Sequence, residues 1–329
     1  MMDIALQGQL QTGVRQGRPY RHHDAFADML YVLDPQTREL LKESAPLMAK
    51  WAKHECRAKS CGGMEEWAKE HHAQPVDACD WYHGTWQYLR LLNMVAVPPW
   101  YGSYNEALSA VLRGRPHAEV LISACADFGM LATLHQAIKT AGADPRITIY
   151  DICRTPLLAC EWYADRFGLR INCVCDNIIT SAKMPMGAFD LIVTDEFLTV
   201  LKDEYKPQIV TRWKALLRPG GTVVTTAMLG GPTTPQLREG YALRAGRLLD
   251  EHRATFAEMG VDRDEILDSF ARFATVHTRH MLAHDDQIRS LFSGFDLSFS
   301  RTVTPGECVN PTSSFEIVAR VPGDGSSAR

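Results

Sequence analysis

The sequence predicts an α/β fold built on a mostly parallel sheet, and three observations carry that expectation. From about residue 118 onward, short apolar runs alternate with amphipathic stretches of helical period, the pattern of repeated strand–helix units. The apolar runs end in polar or acidic residues. Glycines stand where the helices should stop.

Taken in order, EVLISA reads as the first of these strands and MLATLHQAIKTAGA as a helix ending at Gly142. RITIYD is a second strand, and RTPLLACEWYADRFG is a helix stopped by Gly168. INCVCDN and FDLIVTD are the third and fourth strands. In LRPGGTVVTTAM the turn residues Pro219, Gly220 and Gly221 feed a fifth. FDLSFSRTV and SSFEIVARV, joined by a polar loop with Pro305 and Gly306, read as an antiparallel pair closing the sheet.

Two helical additions flank this core. Residues 1–117 are mostly helical by pattern, as in RELLKESAPLMAKWAKHE and DACDWYHGTWQYLRLLNMVA, without strand-like alternation. They are expected to form a lid or substrate region over a ligand-binding domain at 118–321. A helical insertion at about 234–292 separates the fifth strand from the final pair, and the tail at 322–329 is expected to be disordered. Ligands of open α/β sheets sit beyond the carboxyl ends of the strands, where such additions make a cover.

Composition narrows the function. A chain of 329 residues, 46% hydrophobic, can bury a large core, and a net charge of −4 gives no electrostatic reason for a nucleic-acid or anionic-membrane partner. A small-molecule substrate is expected. No run approaches the roughly 20 apolar residues of a membrane span, and MMDIALQGQLQTG lacks the order of a signal peptide, so the expected location is cytoplasmic. Nine cysteines scattered through strands and helices argue against a secreted disulfide framework. Oligomeric state is open, a homodimer included.

VLISACADFGM, residues 120–130, has the outline of a nucleotide-binding turn with alanines in place of glycines: Ala124 and Ala126 flank Cys125, and Gly129 offers a later close approach. Small residues follow strands in many such turns, so this alone is weak. Asp151, directly after the second strand, stands where an acidic residue accepts hydrogen bonds from a ribose, although it could equally cap the next helix. Asp176 and Asn177 close the third strand; Thr194, Asp195 and Glu196 close the fourth. Each could be a cap or a solvated loop residue, but together they converge on one crevice. A P-loop is excluded because no GKS or GKT follows a glycine-rich stretch. NAD remains a competitor.

With these motifs the chain resembles the class I S-adenosylmethionine-dependent methyltransferases over about 118–321: VLISACADFGM for the first motif, ITIYD for the ribose-binding acid, CVCDNI for the adenine strand, then FDLIVTDEFL and LLRPGGTVVTTAM. The resemblance implies a Rossmann-like seven-stranded sheet with an antiparallel C-terminal hairpin. It implies S-adenosylmethionine as co-substrate, held by Ser123, Ala124, Ala126, Asp151, Ile152, Asp176, Asn177 and Thr194. The sequence departs in the first motif, where glycines are missing and Ile122 replaces a common acidic residue. Some relatives, the azetidine-2-carboxylate synthases, instead cyclise the cofactor's aminobutyrate arm and release methylthioadenosine, and the glycine-poor turn and WYHGTWQYLRLL segment fit that alternative. A third reading is a non-catalytic binding module.

In DACDWYHGTWQYLRLL, Tyr82, Trp86 and Leu89 share one helix face. They form a plain buried stripe, or a cover in which Trp86 and its neighbours face the cofactor, since aromatic faces attract a sulfonium cation; Trp100, Tyr101 and Tyr104 follow. Tyr82, His83 and Asp195 are the catalytic candidates, Glu196 and His277, His280 and His284 further bases, the last three spaced for one helix face. His54, Cys56, Cys61, His71, His72 and Cys79 match no common structural-zinc spacing, so no metal is expected.

Overall fold

Alternation along β2 (Glu119–Ser123) sends side chains to opposite faces of the sheet: Val120 and Ile122 join one buried cluster, Leu121 the other. β5 (Phe189–Val193) repeats the division, with Leu191 and Val193 on the first side and Ile192 on the second. Val120–Ile122 and Leu191–Val193 form unbroken apolar runs because both faces of the sheet are covered there. The computed structural model describes residues 14–16, 35–56, 79–95, 103–231, 233–303 and 313–323.

The sheet contains β1 (Val14–Gln16), β2, β3 (Arg146–Asp151), β4 (Ile171–Cys175), β5, β6 (Leu217–Leu229), β7 (Asp296–Val303) and β8 (Ser313–Arg320), in the spatial order β1-β7-β8-β6-β5-β2-β3-β4. β2 through β6 pair in parallel, while β8 runs antiparallel to both β6 and β7. Seven strands and the closing hairpin are those the sequence predicts. The eighth is a correction: β1 pairs in parallel with β7 from within a region expected to hold no strand. Three residues are too few to show alternation.

The chain runs outward from β2 through β3 to β4, then returns to β5 on the other side of β2. The switch point therefore lies between the carboxyl ends of β2 and β5. On one face, α4 (Gly129–Ala141) and α5 (Arg154–Phe167) bury Leu131, Leu134, Leu157 and Cys160. Gly142 and Gly168 end these helices in the left-handed conformation, as expected. On the other face, α7 (Lys206–Leu216), which follows the short α6 (Phe197–Val200), buries Ile209 and Trp213.

The N-terminal helices α1 (Pro35–Glu55), α2 (Asp80–Leu91) and α3 (Ser103–Gly114) contribute Leu41, Met48, Leu89 and Leu108 to the same cluster as Val120 and Leu131. They are built into the core of the sheet domain. The insertion forms α8 (Pro235–Glu251), α9 (Arg253–Glu258), α10 (Arg263–Val276) and α11 (Asp285–Leu291), and Phe270 of α10 joins that cluster too. His277 caps α10 in extended backbone and His284 precedes α11, so His277, His280 and His284 do not share a helix. The His280 amide instead donates to Thr199 O, and Leu282 bridges to Leu229. Among the described residues no helix is long and apolar enough to cross a membrane.

Candidate functional site

The turn after β2 keeps the geometry of a glycine turn without the glycine. Ala124 has φ +66°, a left-handed conformation that costs an ordinary side chain about 1–2 kcal/mol, and its amide donates to Tyr150 O at 2.8 Å. Across the switch point, Glu196 at the end of β5 is also left-handed, at φ +52°. Two strained non-glycine residues beyond the carboxyl ends of adjacent strands mark this edge as a candidate functional site.

Asp151 ties the turn to the next strand. Its Oδ2 accepts the Cys125 amide at 3.0 Å and its Oδ1 the Cys153 amide at 2.7 Å. Burial pushes its carboxyl up to about 6, while the positive charge available on His83 and the Cys125 hydrogen bond pull it down. Ala124, Cys125 and Ala126 are only half-buried, so small side chains line the mouth beside this carboxylate. Ile152 is half-buried and packs against the small cluster of Ala52, Cys56 and Cys153.

Ser123 is a correction. It has the parity of Leu121, its hydroxyl is fully buried on the far face, and it accepts the Trp213 indole N–H at 2.8 Å. Gly129 is also used otherwise than expected. Asp127 Oδ1 accepts the Gly129 amide while Oδ2 pairs with the Arg90 guanidinium; a Cβ on Gly129 would stand 3.0 Å from Asp127 Oδ1 and 3.3 Å from Arg90 Nη1. The glycine admits this ion pair from α2.

At the β4 end, Asp176 and Asn177 shape their own loop. Asp176 accepts the Asn177 amide and the Ser181 hydroxyl, each at 2.8 Å, and Lys183 at 3.1 Å; Asn177 Oδ1 accepts the Ile179 amide. Burial would raise the Asp176 carboxyl, but those bonds hold it below its ordinary value. At the β5 end, the Thr194 side chain is fully buried and its carbonyl accepts the Tyr104 hydroxyl at 2.5 Å. Asp195 Oδ1 accepts Thr226 Oγ1 at 2.7 Å and Tyr104 OH at 3.1 Å. Burial, helped by the neighbouring Glu196 charge, pushes Asp195 up to about 8 against those bonds and the Arg90 charge. Glu196 itself accepts the Ser314 and Thr199 hydroxyls.

Tyr82 brings the cover to these acids. Its hydroxyl is held well above its ordinary range by burial and then by the charges of Asp151, Asp127 and Asp195, so it stays protonated and is a donor rather than a base. Its ring stacks on Trp86, with centroids 5.2 Å apart, and on Phe273 at 5.7 Å. His277 stacks on Phe273 at 4.8 Å, and Tyr241 at 5.8 Å extends the group. His277 is pushed down to about 3 by burial and by the Arg279 and Arg238 charges, so its imidazole is neutral. His83, one position along α2, meets the Tyr82 ring edge-on with centroids 5.2 Å apart, and its Nδ1 lies 3.6 Å from Cys56 Sγ. Trp100 and Tyr101 lie outside the described residues, as do Cys61, His71 and His72.

Sequence reasoning missed three parts of this assembly. Arg90 and Asp127 are ordinary in sequence, and only the glycine two residues after Asp127 hinted at crowding. Phe273 and Tyr241 come from the insertion, whose helical pattern singles out neither residue. The Cys56–His83 contact joins segments whose linear spacing carries no template.

No protein-family model matches the chain, and none of the curated proteins matches it. Solved structures with a similar fold include an S-adenosylmethionine-dependent methyltransferase from Methanosarcina mazei, 19% identical, covering 64% of this chain and 95% of its own, with TM-score 0.40. The N-methyltransferase NodS from Bradyrhizobium japonicum, in complex with S-adenosylhomocysteine, is 16% identical, with coverage of 72% and 98% and TM-score 0.43. The Burkholderia thailandensis 1,6-didemethyltoxoflavin-N1-methyltransferase is 14% identical, with coverage of 68% and 80% and TM-score 0.42. These are distant likenesses. The sheet itself, in the order β7-β8-β6-β5-β2-β3-β4 with an antiparallel closing hairpin and β1 added at its edge, is the Rossmann-like seven-stranded sheet expected from the sequence.

Proposed function

We propose that the crevice at the carboxyl ends of β2, β3 and β5 binds S-adenosylmethionine and that the protein is a transferase moving its methyl group to a small-molecule acceptor. One observation carries the reading: the Tyr82 hydroxyl lies in the field of Asp127, Asp151 and Asp195 while its ring stacks with Trp86 and Phe273. Stacked aromatic faces beside buried acids suit a cation, each such face being worth about 0.5–2 kcal/mol.

The residues present fit the cofactor. Asp151, with each oxygen held by one backbone amide, retains lone pairs for the two ribose hydroxyls. The alanines at 124 and 126 let the backbone approach, Ile152 offers an apolar edge, and the Asp176–Asn177 loop frames the adenine end. When bound, the cofactor supplies an already activated methyl group, so the protein's work is alignment and exclusion of water. Asp195, at about 8, holds its proton near neutrality and becomes a base as the pH rises through that value.

The test is to incubate the protein with S-adenosylmethionine and a panel of amines, phenols and carboxylates, following nucleosides by mass spectrometry. Acceptor-dependent S-adenosylhomocysteine is expected. Methylthioadenosine formed from the cofactor alone would replace methyl transfer with cyclisation of the aminobutyrate arm.

A further inference from the structure

Behind the crevice, three cysteines and one histidine from three separate segments meet. Cys56 directly follows α1, Cys79 is the N-cap of α2, His83 lies one turn into that helix, and Cys153 is the N-cap of α5. Cys56 Sγ is 3.6 Å from Cys153 Sγ and 3.6 Å from His83 Nδ1, and Cys79 Sγ is 3.7 Å from Cys153 Sγ. One ligand atom from each of the four residues lies within 4.8 Å of all the others. Cys56, His83 and Cys153 are buried and Cys79 half-buried.

These separations have a chemical meaning. The sulfur pairs are much farther apart than the roughly 2.05 Å of a disulfide bond. A tetrahedral zinc, with Zn–S of about 2.3 Å and Zn–N of about 2.0–2.1 Å, places its sulfurs about 3.8 Å apart and a sulfur about 3.6 Å from the imidazole nitrogen. These three edges, at 3.6, 3.6 and 3.7 Å, agree with that tetrahedron. Cys79 and His83, four residues apart, project from one helix face. Cys79 and Cys153 each stand at a helix N-terminus, where the helix dipole favours the thiolate that a metal requires. Three thiolates and an imidazole form the soft donor set of closed zinc sites.

We propose that Cys56, Cys79, His83 and Cys153 form a Cys3His zinc site that fastens α1 and α2 to the β3–α5 junction. Four protein ligands close the coordination sphere, so the role is structural; binding releases the three thiol protons. The site also serves the crevice. The Cys153 amide is one of the two donors that hold Asp151, and ligation of His83 fixes the register of α2, on which Tyr82 and Trp86 are placed. His83 is thereby a ligand rather than a base. The linear pattern hides the site because its partners lie 23, 4 and 70 residues apart along the chain. The proposal is independent of the cofactor reading, since metal content is measured without it.

The test uses the full chain, produced with added zinc and desalted without chelator. Elemental analysis is expected to find about one zinc per chain, and X-ray absorption at the zinc edge three sulfurs at about 2.3 Å and one nitrogen at about 2.0–2.1 Å. Cobalt exchanged into the same protein should show the visible bands of a tetrahedral thiolate site. Cys79→Ser should lose most of the metal, whereas His83→Cys should retain it and gain a fourth thiolate in the cobalt spectrum. Protein that purifies nearly free of zinc and takes up no cobalt in this form would overturn the proposal. So would a zinc edge with fewer than two sulfur neighbours, or zinc retained undiminished by a Cys79→Ser/Cys153→Ser double variant.

Discussion

Arg90, on the covering helix α2, and Asp127, in the turn that opens the crevice, form an ion pair in which the side chains are only 2% and 4% exposed. The Arg90 guanidinium also lies over the Phe128 ring, 5.3 Å from its centroid. A buried pair of this kind adds little over a well-packed apolar pair, but removing one partner strands the other charge. Arg90→Ala should therefore lower stability by about 3–5 kcal/mol, measured by urea denaturation, and Arg90→Ala/Asp127→Asn should recover part of that loss. Equal stability of Arg90→Ala and the parent would remove the pair from any role in holding the cover down.

Ala124 sits in left-handed backbone at φ +66°. Ala124→Gly should stabilise the fold by about 0.5–1 kcal/mol, the relief of backbone strain less the added freedom of the unfolded chain. Ala124→Val should destabilise it. A loss of melting temperature in the glycine variant would show that the turn holds another conformation.

Asp195 gives a pH dependence with a definite sign. Its carboxyl is pushed up to about 8, by burial first and the Glu196 charge second, with the Thr226 and Tyr104 hydroxyls and the Arg90 charge opposing. An unfolded aspartate titrates near about 3.9, so between about pH 4 and 8 the folded state holds a proton that the unfolded state has released. The stability from this group is full below about 4 and is lost as pH rises through 8. Chemical denaturation at pH 5, 6.5 and 8.5 should show that decline, and Asp195→Asn should flatten it relative to the parent.

Tyr82 separates ring from hydroxyl. Its stacking on Trp86 and Phe273 belongs to the cover, and its hydroxyl is too firmly protonated to act as a base. Tyr82→Phe should leave S-adenosylmethionine affinity within a few-fold of the parent, and Tyr82→Leu should weaken it by about 0.5–2 kcal/mol, read by calorimetry. The reverse order would give the binding role to the hydroxyl.

The sheet was legible because its buried strands are short apolar runs, and the first two are each followed by an amphipathic helix stopped by a glycine, Gly142 and Gly168. The ribose-side acid was legible because Asp151 ends such a strand. Ser123 misled because the face a strand residue takes depends on parity across the whole sheet, and Trp213, its partner, lies 90 residues away. Arg90 with Asp127, and Phe273 with Tyr82, are likewise long-range pairings that no local period encodes. β1 is three residues long and has no pattern to read.

The most direct test of the cofactor crevice is a calorimetric titration of S-adenosylmethionine into the parent protein and into Asp151→Asn, with folding of both checked by circular dichroism. One site per chain is expected, weakened about tenfold or more in the variant through loss of a charge-assisted hydrogen bond of about 1.5–3 kcal/mol. No binding to the parent, or equal binding to a folded Asp151→Asn, would contradict the account.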